Sequence, residues 1–180
     1  KALYVGISSY NSEKTRQAEK ILKELGTPCL IHQPSYNLFN RWVEEDNLLG
    51  TLNDLGIGSI AFTPLAQGML TNKYLNKIPA KSRANQGKSL DKDKITPELI
   101  QALNELNDIA ANRGQSLAQM SIAWVLRNGN VTTALIGASK SEQVEDCVGA
   151  VKNLDFNAAE LLQIDAIASD QGINLWAKSS

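Results

Sequence analysis

The sequence predicts an α/β fold built on a parallel β-sheet. Short apolar runs begin near residues 3, 29, 59 and 133, and each is followed by polar or loop-forming residues and then by a helical pattern. Strands that alternate with helices indicate parallel βα units, because a parallel connection requires a crossover that is usually a helix. The runs are continuously apolar, which predicts a sheet that is covered on both faces.

The first two units are regular. Residues 3–7 form the first predicted strand, and apolar residues at helical spacing between 18 and 25 predict the first helix. Residues 29–31 begin the second strand, and the next helix carries apolar residues at helical spacing from 48 to 55. Each helical pattern ends at a glycine, the residue favoured just after a helix C-terminus.

The third unit contains an insertion. Its strand, residues 59–62, breaks into a loop, and residues 68–95 form a polar stretch with few apolar positions. Two helices are predicted after this stretch. One is capped by Thr96, and the other opens with the capping-box spacing of Ser116 and Gln119. The third crossover therefore carries an extra helix.

The fourth unit and the last helix begin with similar cap patterns. Residues 133–136 form the fourth predicted strand, and Ser139 with Glu142 has the spacing of a capping box at the start of the following helix. Asn157 and Glu160 have the same spacing before the last helix. No linker or low-complexity tract interrupts the chain, so the sequence predicts one domain or part of one.

The composition excludes several classes of protein. Of the 180 residues, 43% are hydrophobic and 21% are charged, which is enough to build the core of one domain. Eighteen lysines and arginines against 19 aspartates and glutamates give a net charge of −1. This balance argues against a general nucleic-acid or membrane-surface binder, and no apolar stretch is long enough to span a bilayer. Two cysteines form neither a disulfide framework nor a metal knuckle, so a reducing, cytoplasmic compartment is expected.

The near-neutral net charge is the sum of a basic loop and an acidic remainder of the chain. Residues 73–94 hold seven positive side chains and two aspartates, a local charge of +5, so the rest of the chain carries −6. A basic loop of this kind is suited to binding an anionic ligand such as a phosphate.

Polar residues follow each predicted strand, at the edge where parallel α/β proteins gather their functional groups. These segments are Ser8-Ser9, His32-Gln33, residues 63–68 and residues 137–139. The helix that begins near Lys140 directs its N-terminus toward an anion, and Lys73 and Arg83 follow the third strand. Together these features predict a phosphate site. Each one alone is also explained as a helix cap, a turn residue or a solvated side chain.

Other candidate groups are few. His32 is the only histidine and is either a hydrogen-bonded structural residue or a catalytic one. Cys29 and Cys147 are interpreted as buried thiols, and Tyr36 either belongs to the core or stacks on a flat ring. The sequence contains neither GxGxxG nor GxxxxGK(S/T), and no carboxylate pair or metal cluster stands out.

The segments at the strand ends resemble the second half of an aldo-keto reductase. They are Gly6-Ile7-Ser8-Ser9-Tyr10, His32-Gln33-Pro34-Ser35-Tyr36-Asn37, Thr63-Pro64-Leu65-Ala66-Gln67-Gly68-Met69-Leu70 and Leu135-Ile136-Gly137-Ala138-Ser139, in this order and at matching spacings. The similarity covers essentially the whole chain. It implies a (β/α)8 TIM barrel of which residues 1–180 are the C-terminal half: the last four βα units, with a long loop and an extra helix after the barrel's seventh strand. The absence of an initiator methionine likewise predicts that the N-terminus of this chain is truncated.

The resemblance also implies an NADPH site and a role for each matching position. Ser8, Ser9 and Gln33 would hold the nicotinamide carboxamide, and Tyr36 would lie near its ring. The residues that would follow the pyrophosphate are Phe62, Thr63, Pro64, Leu65, Ala66, Gln67 and Gly68, with Lys73 and Arg83 closing over it from the long loop. The residues implied at the adenosine end are Gly137, Ser139 and Gln143 for the 2′-phosphate, and Asp146 and Cys147 for adenine.

The reaction implied by the resemblance is NADPH-dependent reduction of a small aldehyde, such as a phosphorylated triose or methylglyoxal, to an alcohol. The family's catalytic Asp, Tyr, Lys and His come from the first four βα units, so none of them is expected in this chain. Two alternatives stay open: an NADPH-binding regulatory subunit with little turnover, and an inactive half-barrel fragment. The expected partner is the aldehyde, with no metal, nucleic acid or membrane, and the oligomeric state is open to a homo-oligomer.

Overall fold

The computed structural model describes residues 2–75 and 95–168, so Arg83 and most of the basic loop lie outside the described residues. Strands and helices alternate along the described chain. Their bounds are β1 Val5–Ser8, α1 Ser12–Glu24, β2 Cys29–Gln33, α2 Trp42–Glu45, α3 Leu48–Leu55, β3 Gly58–Phe62, α4 Pro97–Asn112, α5 Leu117–Leu126, β4 Thr133–Leu135, α6 Ser141–Val148 and α7 Ala158–Ile167. Short 3₁₀ turns follow β3 at Ala66–Gly68 and α6 at Gly149–Lys152.

The four strands form one parallel sheet in the order β1-β2-β3-β4. The α/β fold on a parallel sheet, which the alternating pattern predicts, is confirmed. The connection from β3 to β4 carries two long helices, α4 and α5, as the insertion in the third unit predicts. The carboxyl ends of all four strands therefore lie at the same edge of the sheet.

Helices cover only one face of this sheet in the described part of the chain. Residues in register share a face, so Ile7, His32 and Ser59 lie on one side while Ser8 and Gln33 lie on the other. His32 and Ser59 are buried, whereas Ser8 is exposed and Gln33 is half-buried. The expectation of a sheet covered on both faces is therefore wrong for these residues, because apolar strand composition does not by itself supply a covering layer.

The core lies on the helix side of the sheet. Its largest fully buried side chains come from the loop after β2, the segment after the β3 turn, and α3, α4 and α5: Tyr36, Leu38, Phe39, Leu48, Leu52, Met69, Leu70, Leu99, Leu103, Leu106 and Trp124. Trp124 of α5 joins several of these elements. The centroid of its ring lies 5.3 Å from that of Tyr36, and the Arg127 and Arg41 guanidinium groups lie 3.8 and 4.5 Å from its centroid. The loop after β2 is thereby fixed against α5.

Capping side chains start α4, α5 and α7 as predicted. The Leu99 N–H donates to the Thr96 hydroxyl oxygen at 3.2 Å, which caps α4. Both reciprocal bonds of a capping box are present at Ser116 for α5 and at Asn157 for α7. None of the helices in residues 2–75 and 95–168 is both long and apolar enough to cross a membrane.

The capping box predicted at Ser139 is wrong. Helix α6 begins at Ser141, and its N-cap residue, Lys140, makes no side-chain capping hydrogen bond. Ser139 therefore lies two residues before the helix, too early for its hydroxyl to reach the free N–H groups of the first turn. Its own N–H donates to Gln143 Oε1 at 2.8 Å, so the residue that reaches back is Gln143 and not Glu142.

Candidate functional site

The ends of β1 and β2 form a polar corner on the accessible face of the sheet. Ser8 and Gln33 are register partners there. The Ser8 hydroxyl donates to the Gln33 carbonyl oxygen at 2.8 Å, and the Ser9 N–H donates to the same oxygen at 3.2 Å. The two strand ends are thus locked together, and they present hydroxyl and amide groups that both donate and accept. The three residues predicted to hold a carboxamide are neighbours.

Left-handed backbone is concentrated in the loops that follow β1 and β3. Among the described non-glycine residues, φ is positive at Ser9, Asn47, Thr63, Ala66 and Gln67. Four of these five belong to the segments predicted to form the site. Such conformations cost on the order of 1–3 kcal/mol each and persist where surrounding contacts hold them, often at functional sites. This distribution favours a binding role for the two loops.

The segment 63–68 forms a tight turn beside the polar corner. Phe62, the last residue of β3, donates its N–H to the Pro34 carbonyl oxygen at 2.9 Å, one residue beyond Gln33. Ala66 and Gln67 then take φ values of 45° and 59°, and the chain leaves the turn at Gly68 with a φ of 95°. The seven residues 62–68 are all partly or fully buried. The half-buried ones are Phe62, Thr63, Leu65, Gln67 and Gly68, and the buried ones are Pro64 and Ala66.

Tyr36 belongs to the core. Its side chain is 1% exposed and packs on Trp124. The hydroxyl donates to the Glu44 carboxylate and accepts from Arg127 Nη1, and Arg127 Nη2 also donates to Glu44 at 2.8 Å. Burial raises the pKa of Tyr36 far above its usual range, so the phenol stays protonated. Of the two interpretations of Tyr36, its burial fits a core residue. It does not fit a ring that stacks on a flat ligand.

His32 is a neutral anchor behind the polar corner. It is fully buried on the helix side of β2, and its Nε2 lies 3.0 Å from the Tyr10 carbonyl oxygen. Because a carbonyl oxygen only accepts, Nε2 carries the proton. Burial lowers the pKa of His32, and Nδ1 has no partner within the described residues. Of its two interpretations, the structural one fits these contacts: His32 fixes the loop that carries Ser8 and Ser9.

The neutral state of His32 predicts a pH-dependent stability. The unfolded imidazole has an ordinary pKa near 6.5, whereas the folded one resists protonation to a lower pH. The stability that His32 contributes is therefore fully present above pH 6.5 and is lost as the pH falls from 6.5 through the lowered folded pKa. His32→Gln keeps a donor but does not titrate. We expect the variant to have a lower free energy of unfolding in urea than the unchanged protein at about pH 8. This difference should be smaller at about pH 5, because only the unchanged protein loses the His32 contribution on acidification. A difference that does not vary with pH would contradict a neutral His32.

Three of the predicted adenosine-end residues stay together after β4. Gly137 and Ser139 are exposed, and Gln143 is half-buried on the first turns of α6. Gln143 Oε1 accepts from both the N–H and the hydroxyl of Ser139, at 2.8 and 3.3 Å. An exposed glycine, a hydroxyl and an amide are thereby grouped at the same edge as the polar corner. A phosphate oxygen bound here would have to take over the two Ser139 donors from Gln143.

The other two residues of this group, Asp146 and Cys147, are half-buried on α6. The Asp146 carboxylate accepts from the Ser116 hydroxyl at 3.1 Å at both oxygens, which ties α6 to the start of α5. Cys147 is half-buried, and burial together with the Asp146 charge raises the pKa of its thiol. Cys29 is buried, as expected, whereas Cys147 is more exposed than expected; both cysteines are free. Asp146 therefore already has a structural partner in this conformation.

The described part of the basic loop contributes one predicted residue to the site. Lys73 is exposed and follows the 63–68 turn, and Arg83 lies outside the described residues. Within residues 2–75 and 95–168, no group of three or more His, Cys, Asp or Glu side chains could hold a metal ion.

Two residues next to the predicted site were not assigned a role from the sequence. Ser35 and Asn37 lie in the loop after β2, are 2% and 1% exposed, and contact Thr63 through their side chains. A partial signal was present in the sequence. Short polar side chains that flank Tyr36 suggest local hydrogen bonding to the backbone. The partner across the sheet could not be read from that signal.

The sequence that forms this polar corner and strained turn lies within the match to a family model. The model of the Aldo/keto reductase family covers residues 1–169, and the chain belongs to that family. The resemblance read from the strand-end segments is confirmed.

Individual relatives come from two branches of the family. The chain is 52% identical over 184 aligned positions to L-glyceraldehyde 3-phosphate reductase of Escherichia coli strain K12, and 51% identical to the protein of the same name from Escherichia coli O157:H7. It is also 31% identical over 175 positions to a probable voltage-gated potassium channel subunit beta of Oryza sativa subsp. japonica. The first two matches cover 100% of this chain and the third covers 94%, but each covers 53% of the relative. The chain thus spans about half the length of these relatives.

Proposed function

We propose that this chain forms the NADPH-binding half of a cytoplasmic aldehyde reductase. The observation that carries the proposal is the juxtaposition of the Ser8–Gln33 corner and the left-handed 63–68 turn at one edge of the sheet. The proposed substrates are small aldehydes, L-glyceraldehyde 3-phosphate or methylglyoxal, which are reduced to alcohols. Membership of the family and the similarity to two reductases of that name support this choice.

The residues present fit a nicotinamide cofactor. A carboxamide needs both a donor and an acceptor, and the Gln33 side-chain amide supplies both on the accessible face, beside the Ser8 and Ser9 hydroxyls. When bound, NADPH supplies the hydride that reduces the carbonyl carbon. Gln33 and the two serines orient the reactive ring. Gly137, Ser139 and Gln143 offer donors to the 2′-phosphate, and Lys73 and Arg83 offer positive charge to the pyrophosphate.

The proton that completes the reduction must come from another group. The alkoxide formed by hydride transfer needs an acid, and the hydroxyl of Tyr36, three residues after Gln33, is already bonded to Glu44 and Arg127. We propose that the catalytic Asp, Tyr, Lys and His lie in four further βα units and that residues 1–180 are the C-terminal half of one TIM barrel. Exposed apolar side chains beside both edge strands support this: Leu3 and Tyr4 before β1 are 90% and 73% exposed, and Leu135 of β4 is 49% exposed.

Two other functions are kept as alternatives. The similarity to a potassium channel subunit favours an NADPH-binding regulatory subunit with little turnover as the second candidate. An inactive half-barrel that pairs with a second copy of itself would also cover the exposed edges. Slow NADPH oxidation with tight retention of the cofactor would indicate the regulatory subunit. A homo-oligomer that binds no NADPH would indicate the inactive half-barrel. An intact mass about twice 19.6 kDa would indicate that both halves of the barrel share one polypeptide.

Binding of NADPH to the purified protein tests the cofactor site directly. We expect NADPH to quench tryptophan fluorescence, and Gln33→Leu to weaken NADPH binding about 10- to 100-fold, because the carboxamide loses its hydrogen-bond partner. Gln101→Leu is the matched control, since Gln101 is exposed on α4 and its amide donates to Glu105 in the same helix. Unchanged affinity in Gln33→Leu would refute the assigned corner. Failure of the unchanged protein to bind NADPH would refute the proposed function.

The reaction is tested by NADPH oxidation with each aldehyde. The proposal predicts turnover of L-glyceraldehyde 3-phosphate or methylglyoxal only when the four further βα units are present. Full turnover by residues 1–180 alone would show that the acid lies in this chain after all.

A further inference from the structure

Thr63 has an unfavourable backbone conformation at the centre of the proposed site. It follows the last residue of β3 and has a φ of 56°. A β-branched residue rarely takes this left-handed conformation, because its Cβ substituents crowd the backbone. The turn 63–68 begins here, so the direction in which the turn leaves the sheet depends on this one conformation. Contacts from elsewhere must hold it.

Two buried side chains from the loop after β2 hold Thr63 in place. Asn37 Nδ2 donates to the Thr63 carbonyl oxygen at 2.9 Å, and the Ser35 and Thr63 hydroxyl oxygens lie 2.9 Å apart. Asn37 Oδ1 accepts from the Phe39 N–H at 3.0 Å. Because a backbone N–H can only donate, this bond fixes which end of the Asn37 amide faces Thr63.

The hydroxyl groups form a chain with one consistent direction. Asn40 Nδ2 donates to the Ser35 hydroxyl at 3.0 Å, and the Thr63 hydroxyl donates to the Phe62 carbonyl oxygen at 2.7 Å. Each hydroxyl has one proton, so Ser35 must donate to Thr63 for both bonds to form. The Asn37 bond reaches the carbonyl oxygen of Thr63, and the series of hydroxyl bonds reaches its hydroxyl. The donors, Asn37 and Ser35, both belong to the loop after β2.

We propose that Asn37, assisted by Ser35, is a positioning residue that sets the left-handed conformation of Thr63 and thereby directs the 63–68 turn toward the cofactor. The inference rests on the proposed function for its consequence, namely NADPH affinity. Its structural content, the conformation of Thr63, is independent of that function. Asn37 itself is 1% exposed, so its effect on the cofactor would pass through the turn.

The test combines Asn37→Leu with Thr63→Gly. We expect Asn37→Leu to weaken NADPH binding about tenfold, since the turn is no longer held in its productive conformation. Glycine takes positive φ without steric penalty, so the double variant Asn37→Leu/Thr63→Gly should recover to within about threefold of the unchanged protein. Asn153→Leu is the matched control. Asn153 lies before α7 and its amide donates to the Arg113 carbonyl oxygen at the end of α4, so the substitution should lower the melting temperature and leave the NADPH Kd unchanged.

Two results would overturn the proposal. One is an Asn37→Leu variant that melts at a lower temperature but binds NADPH like the unchanged protein, which would indicate a packing role only. The other is a structure of Asn37→Leu in which Thr63 keeps its left-handed φ. If the unchanged protein does not bind NADPH, the proposed function fails. In that case the conformation of Thr63 in the Asn37→Leu structure still decides whether Asn37 sets it.

Discussion

Replacing Trp124 with alanine is expected to lower the free energy of unfolding by about 3–5 kcal/mol. The indole is fully buried and has the Tyr36 ring at a centroid distance of 5.3 Å. Its removal opens a cavity in the centre of the core and leaves the Arg41 and Arg127 guanidinium groups without the aromatic ring over which they lie. Urea denaturation followed by far-ultraviolet circular dichroism measures the loss.

Trp124→Phe separates ring packing from the indole N–H. Trp124 Nε1 is buried without an acceptor among the described residues, so phenylalanine sacrifices volume but no hydrogen bond. We therefore expect Trp124→Phe to be markedly more stable than Trp124→Ala. Leu162→Ala, at a side chain that is 70% exposed, should change the free energy of unfolding by less than about 0.5 kcal/mol. Equal losses in the two Trp124 variants would contradict the role assigned to the ring.

Replacing Arg113 with leucine is expected to lower the free energy of unfolding by a similar amount, about 3–5 kcal/mol. The Arg113 side chain is 3% exposed and pairs with Glu160 at 2.8 Å. It also donates to the Asp155 carbonyl oxygen at 2.8 Å, and its guanidinium lies 3.6 Å from the Phe156 ring centroid. Among the described residues Arg113 is the cation paired with Glu160, so leucine leaves this half-buried carboxylate without a counter-charge and removes the donor to the Asp155 carbonyl oxygen. Thermal unfolding and urea denaturation both report the effect.

Two milder variants test the origin of that loss. Glu160→Gln removes the negative charge but keeps an oxygen for the α7 capping box, so it should cost less than Arg113→Leu. Asp165→Asn breaks the ion pair with Arg41, in which the Asp165 side chain is 52% exposed, and should cost less than about 1 kcal/mol. If Asp165→Asn were as damaging as Arg113→Leu, burial would not be the cause of the difference.

Most of the secondary structure could be predicted because it depends on local patterns. Helical spacing of apolar residues and cap pairs located α4, α5 and α7, where Thr96, Ser116 and Asn157 each accept a backbone hydrogen bond. The identical spacing at Ser139 failed, since α6 starts two residues later and Gln143 takes the Ser139 N–H. A capping pattern predicts the residue types that can cap a helix. It does not exclude a competing side chain one position further along.

The residues of the candidate site could be predicted as a set, but their individual orientations could not. Register brings Ser8 and Gln33 together as expected from two polar strand ends. The direction of Tyr36 depends on Glu44 and Arg127, and that of Asp146 depends on Ser116. These partners lie from 8 to 91 positions away along the chain. No local pattern contains that information.

The sequence by itself determined the alternation of strands and helices, the polar residues at the strand ends and the family, because each of these is carried by short segments read in order. The tertiary structure decided which face of the sheet is covered, which predicted residues are turned inward, and why Thr63 can hold a left-handed backbone. The last point shows the physical reason. Thr63 is unfavourable on its own, and the side chains of Ser35 and Asn37, brought beside it by the pairing of β2 with β3, help to compensate for that cost.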